Sequence, residues 1–261
     1  IRLHQGLVQR NDLSDQQRVL ALLALGEDYM KSGLLDRAET VFTDLARIDE
    51  RAPQALKHLL GIYQAERDWE RAIDNATRYE EVTGEPMGKL VAQFECELAE
   101  RHRANGELDA ARAAIARAYQ ADAGSVRAGI LEGRIEAGAG NPDAAIRAYE
   151  RAARHDPDYL PEFLPSLLAC YGEVGDTAGA RAFLAEMSEH YRGIAPVLAL
   201  TGLIEAQEGS QAARDYLGRQ LKDRPSVRGE AALIDLTLAV GADSTATLHD
   251  LKHITDQLLV R

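Results

Sequence analysis

The chain has 261 residues, 46% of them hydrophobic and only 5% aromatic, so it can bury a continuous core but leaves much of the close packing to alanine. Its 30 basic and 42 acidic side chains give a formal charge of −12, which argues against a general nucleic-acid or anionic-membrane surface, since either selects a basic face. The apolar runs are short and broken by charge, so none reads as a membrane span. Cys96 and Cys170 stand far apart inside helical patterns and form neither a metal motif nor a disulfide framework, which makes a reducing compartment the default.

A helical pattern is already running at Ile1. Ile1 to about Gln9 is expected to be the second helix of a hairpin, and the chain a piece of a longer protein. Asn11–Asp15 reads as a connection, with Ser14 as N-cap of the next helix. From Val19 to Glu50 the order Leu25-Gly26, Tyr29, Gly33, Ala38, Phe42 is that of a tetratricopeptide repeat, a helix–turn–helix unit of about 34 residues. Gly26 and Ala38 are small so that two helices can approach, and Gly33 ends the first helix in the left-handed conformation. Tyr29 and Phe42 are expected to fill the space between this hairpin and the next.

Further units begin near Pro53, Ala92, Val126 and Pro161, with a degenerate one near Ile194. The second-helix alanine recurs at Ala38, Ala72, Ala111, Ala145, Ala180 and Ala213, at spacings of 34, 39, 34, 35 and 33. Pro157 and Pro225 occupy the repeat's terminal proline position. The expected fold is therefore all-α, a right-handed solenoid of helical hairpins. Residues 1–18 would be a partial first repeat and connection, 19–225 tandem repeats, and 226–261 an atypical terminal helical pair. Within this scheme Trp69 is read as inter-helix packing. The longer spacing before the third unit is assigned to Thr83–Leu90, expected to be a loop and a hinge.

No catalytic arrangement emerges. His249 and His253 are one helical turn apart, but two ligands are too few for a metal site. Glu95, Glu97 and Glu100 read as an acidic solvated face, and Gly88-Lys89 lacks the spacing of a phosphate loop. Asn75-Ala76-Thr77 matches a glycosylation acceptor but falls in mid-helix. In such repeats the first helix of each hairpin lines a concave face. That register gives Glu27 and Met30; Lys57, Gly61 and Gln64; Gln93, Cys96, Glu100 and Arg103; and Arg127, Ile130 and Arg134. Lys57, Gln64, Gln93, Arg103, Arg127 and Arg134 are the candidate partner-binding residues. Their cations either clamp a partner's carboxylates or are solvated or paired with nearby Glu100 and Glu132.

LLALGEDYMKSGLLDRAETVF, LLGIYQAERDWERAI, FECELA, Gly133-Arg134 and GSQAARDYLGRQLKDRP together resemble the lipopolysaccharide assembly protein B family, in order along nearly the whole chain. The resemblance implies an N-terminal transmembrane helix and a C-terminal rubredoxin-like metal module with two Cys-x-x-Cys pairs. Neither is in this sequence, so no cofactor is expected here. It further implies a non-enzymatic adaptor on the cytoplasmic side of a Gram-negative inner membrane. Its partners would be the FtsH protease, the lipid A deacetylase and membrane regulators, without nucleic acid. Alternatives are a general scaffold in envelope biogenesis and the regulatory arm of an enzyme. Leu248, Leu251, Ile254, Leu258 and Leu259 form an apolar stripe expected to support a homodimer.

Overall fold

A computed structural model describes residues 1–47, 52–241, 252 and 254. Among these residues there are fourteen α-helices and no strand. After α1 (Arg2–Val8) the helices come in pairs: α2 (Asp15–Lys31) with α3 (Leu35–Leu45), α4 (Ala52–Glu66) with α5 (Trp69–Thr83), and α6 (Gly88–Ala104) with α7 (Leu108–Ala121). Then come α8 (Val126–Gly138) with α9 (Pro142–His155), α10 (Leu160–Val174) with α11 (Thr177–His190), α12 (Ala195–Glu208) with α13 (Ser210–Asp223), and α14 (Val227–Gly241). Packing divides the chain into two compact units, Ile1–Leu131 and Glu132–Arg261.

Local chemistry sets the helix ends. Ser14 and Gln17 close a reciprocal capping box on α2, and Asp68 and Asp176 accept the backbone N–H groups of Arg71 and Gly179 at the starts of α5 and α11. Inside each hairpin the turn is one to three residues long and contains a single residue of positive φ: Gly33, Gly106, Gly140, Gly175 and Gly209, but Arg67 at φ 56° between α4 and α5. Pro142 occupies the start of α9, where its missing N–H has no cost.

The alanine column is the core. Ala38, Ala72, Ala111, Ala145 and Ala213 are completely buried and Ala180 nearly so, as the expected close approach of paired helices requires. The first helix is equally tight at Gly26 and Gly133. A Cβ on Gly26 would stand 2.6 Å from the Phe42 ring, and one on Gly133 would stand 2.4 Å from Tyr149. Stacked rings then join the second helix of one hairpin to the first helix of the next: Phe42 on His58 at 4.5 Å, Trp69 on Phe94 at 5.7 Å, and Tyr149 on Phe163 at 5.3 Å between ring centroids. Trp69 is thus packing, as read.

Tyr29 departs from expectation. It reaches back, accepting a hydrogen bond from Gln5 of α1 at 2.8 Å, as Tyr63 reaches back to Glu39 and Tyr171 to Glu150. The hydroxyl of the first-helix tyrosine therefore binds the preceding hairpin, while the second-helix aromatic rings stack forward on the next one. The loop assigned to Thr83–Leu90 also shrinks. α5 runs through Thr83, Gly84 caps it at φ 71°, and α6 starts at Gly88. The connections before α6 and α8 are both four residues long. Instead the five additional residues lengthen helices: α5 has 15 residues against 14 in α7, and α6 has 17 against 13 in α8. The four added to α6 make about one helical turn.

Of the terminal pair, α14 starts at Val227. His249, His253, Leu248, Leu251, Leu258 and Leu259 lie outside the described residues, while Ile254 is buried.

Candidate protein-binding surface

All six candidate residues fall on first helices: Lys57 and Gln64 on α4, Gln93 and Arg103 on α6, Arg127 and Arg134 on α8. Arg103 is half-buried and the other five are exposed. Two other positions of the predicted face are not available, because Cys96 and Ile130 are buried in the core. Burial also pushes the Cys96 thiol up to about 11, against the opposing pull of nearby Arg127, so this cysteine stays protonated and inert near neutrality.

In the first unit the arginines are already engaged. Arg103 gives Nε and Nη2 to the two oxygens of Glu100 at 2.8 and 2.7 Å, and Arg127 reaches Glu97 at 2.6 Å. Hydrogen bonding to Glu100 holds the Arg103 guanidinium above its ordinary pKa despite partial desolvation. In the second unit Arg134 pairs with Glu162 of α10 at 2.8 Å, while Glu132, its expected partner, bonds to Arg151. Stacking explains the exchange: α10 places Glu162 beside Arg134, whereas Glu132, two positions away on the same helix, points to another side. A bare basic stripe is therefore absent from these residues. What these first helices present is a set of partly exposed, pre-oriented Arg–carboxylate pairs.

The acidic cluster on α6 needs a further correction. Glu95 is only 4% exposed and gives both oxygens to Arg117 of α7, at 2.8 Å each. Glu97 and Glu100 hold Arg127 and Arg103. The three carboxylates thus aim in three directions, and no common solvated face results. Asn75, the nominal glycosylation acceptor, is buried, and its Nδ2 donates to the Leu56 carbonyl at 2.6 Å. Among the described residues no three metal-capable side chains converge, and no helix is long and apolar enough to cross a membrane.

Paired helices, an alanine column and short glycine turns define the class: this is a tetratricopeptide-repeat type of protein, whose exposed first helices carry polar and ion-paired side chains. No protein-family model matches the chain. It is 37% identical over 238 residues to lipopolysaccharide assembly protein B of Escherichia coli K12, covering 91% of this chain and 61% of that protein. It is 29% identical over 226 residues to lipopolysaccharide assembly protein B of Haemophilus influenzae, covering 87% and 57%. The chain is similar to lipopolysaccharide assembly protein B over most of its own length, and spans about three fifths of the length of the curated relatives it matches. Among solved structures, a tetratricopeptide repeat protein from Parabacteroides merdae is 15% identical, with 89% of each chain covered and a TM-score of 0.38.

Proposed function

We propose that the chain is a non-catalytic adaptor segment acting in lipopolysaccharide assembly, with its first helices holding a protein partner. The observation that carries this reading is the 37% identity, over 91% of the chain, to proteins named for that process. The pairs Arg103–Glu100 and Arg127–Glu97 support it chemically, because each guanidinium is already oriented and keeps donors with which to meet a partner carboxylate beside the intramolecular one. The finer reading is regulation by proteolysis. The adaptor presents the deacetylase of the lipid A pathway to the membrane protease FtsH, at the cytoplasmic side of the inner membrane. Presentation of this kind gains its rate from effective concentration, so it depends on all parties being held at one membrane.

The test is a degradation assay in liposomes containing the protease, the deacetylase and a membrane-anchored full-length relative, with this 261-residue chain added in solution. Free chain is expected to bind the partner and to slow degradation by competition. Charge reversal by Arg127→Glu in the first unit, or by Arg134→Glu in the second, should weaken that competition, since removing one side of a desolvated charge pair costs about 2–5 kcal/mol. Acceleration by the free chain equal to that of the anchored protein overturns the tethering mechanism. Unchanged competition after both reversals removes these residues from the contact.

A further inference from the structure

In the second unit an open groove of about 430 Å³ lies between two second helices, α9 and α11, with the last turn of α10 between them. It involves different elements from the first-helix residues discussed above. Its floor is apolar: Phe183 is buried, and Val174 and Ala182 are exposed beside it. The walls are held together before any partner arrives. Glu150 of α9 accepts from the Tyr171 hydroxyl of α10 and from Arg154 at 3.0 Å, and Arg154 also reaches Glu186 of α11 at 2.9 and 3.1 Å. A hydrogen-bonded chain thus ties all three helices and fixes the groove's width.

Charge decides what fits. Four carboxylates line the groove, those of Asp143, Glu150, Asp176 and Glu186, against the two guanidiniums of Arg147 and Arg154. Arg154 is consumed by two of the acids, while Asp143 is exposed at the start of α9. The surplus is two negative charges around an apolar floor. An acidic segment would meet net repulsion, and a purely apolar one would desolvate Asp143 and Asp176 without offering either a cation.

We propose that this groove docks a segment of a protein partner bearing one medium-sized apolar side chain flanked by lysine or arginine. The apolar side chain covers Val174 and Ala182 over Phe183, and the flanking cations face Asp143 on one wall and Asp176 on the other. Attraction of this kind governs specificity and salt dependence more than tightness.

The experiment uses the whole chain and two synthetic glycine–serine peptides, one with a central leucine flanked by lysines and the other with glutamates in place of the lysines. Binding is read from the backbone amide NMR shifts of Gly179 and Ala182. The lysine peptide should shift these amides, less so as salt is raised, and the glutamate peptide should not. Ala182→Lys at this exposed position should weaken binding about ten-fold, and Ala182→Glu should preserve it. Val174→Lys, also exposed, should act as Ala182→Lys does, and it carries the test if either variant folds poorly. Arg127→Glu in the first unit should leave this binding unchanged, so failure here is separable from failure of the first-helix surface. Equal binding of both peptides, no binding of the lysine peptide, or full binding by the folded lysine variants overturns the proposal.

Discussion

Both carboxylate oxygens of Glu95 are taken by one guanidinium, that of Arg117, at 2.8 Å each, and only the arginine side of this pair meets water. Arg117→Ala should therefore leave a buried anion without its partner and destabilise the first unit by about 1–3 kcal/mol. The cost sits in that range because solvent reaches the vacated guanidinium site. Adding Glu95→Met to the same variant should restore most of the loss, since apolar replacement of a whole buried pair is often neutral or better. Urea denaturation of the single and double variants checks this; a double variant weaker than Arg117→Ala would show that the pair is a net stabiliser.

Two helical glycines should respond oppositely to alanine. Gly133→Ala gains helix propensity of about 1 kcal/mol but drives a methyl to 2.4 Å from the Tyr149 ring. That ring is fully buried and stacked on Phe163, so it has little room to yield, and a net loss of about 1–3 kcal/mol is expected. Gly172 in α10 has nothing within 4 Å of its would-be Cβ, and Gly172→Ala should stabilise by about 0.5–1 kcal/mol. Thermal melts of the two variants, measured side by side, should move in opposite directions.

The turn between α4 and α5 places Arg67 at φ 56°, where the other intra-hairpin turns use glycine. A left-handed conformation costs a non-glycine residue roughly 1–2 kcal/mol, part of which glycine gives back through its larger unfolded-state entropy. Arg67→Gly is expected to stabilise by about 0.5–1 kcal/mol, read as a higher urea midpoint at unchanged slope. A decrease would mean that the arginine side chain holds the turn.

His58 supplies a pH dependence. Burial in its stack on Phe42 holds the imidazole below its ordinary pKa, outweighing the pull of Glu27 at 3.6 Å. A depressed pKa means that the unfolded chain takes up the proton first. The stabilisation from neutral His58 is thus complete above the ordinary histidine range, and it is lost as the pH falls through the folded-state value. His58→Phe keeps a ring on Phe42 and should flatten stability between about pH 7 and about pH 5 relative to the parent chain. Parallel slopes for the two proteins would rule His58 out as the titrating group.

These cases also mark where the sequence is readable. Ala38 through Ala213, Gly33 and Ser14 announce themselves because each meets a requirement local to one hairpin: a close approach, a left-handed turn, a cap. The pairings of Arg134 with Glu162 and of Tyr29 with Gln5 depend instead on how successive hairpins stack, and a column of residue types does not encode that offset. Glu95 looks like its neighbours Glu97 and Glu100 in a string of letters, yet helix geometry turns it toward α7. The first-helix positions of the candidate surface were legible in the same way, by register, and so was Glu100 as the partner of Arg103, but not Glu97 and Glu162, which occupy Arg127 and Arg134. The groove by Phe183 left no signal at all, since its lining is drawn from α9, α10 and α11 and no single segment carries its pattern.

The long α6 bears on how repeats of this kind can change length through mutation. Each helical residue advances the side chain by about 100°, so inserting one or two would turn Ala92, Cys96 and Ala99 out of the core and strand polar neighbours inside it. Four residues bring the phase back to within about 40° and lengthen the helix by about 6 Å. Insertions and deletions in the helices should therefore be inherited in near-whole turns, while the four-residue connections before α6 and α8 stay constant. A library of one- to five-residue insertions at mid-α6, sorted for folded protein, would retain chiefly the three- and four-residue classes.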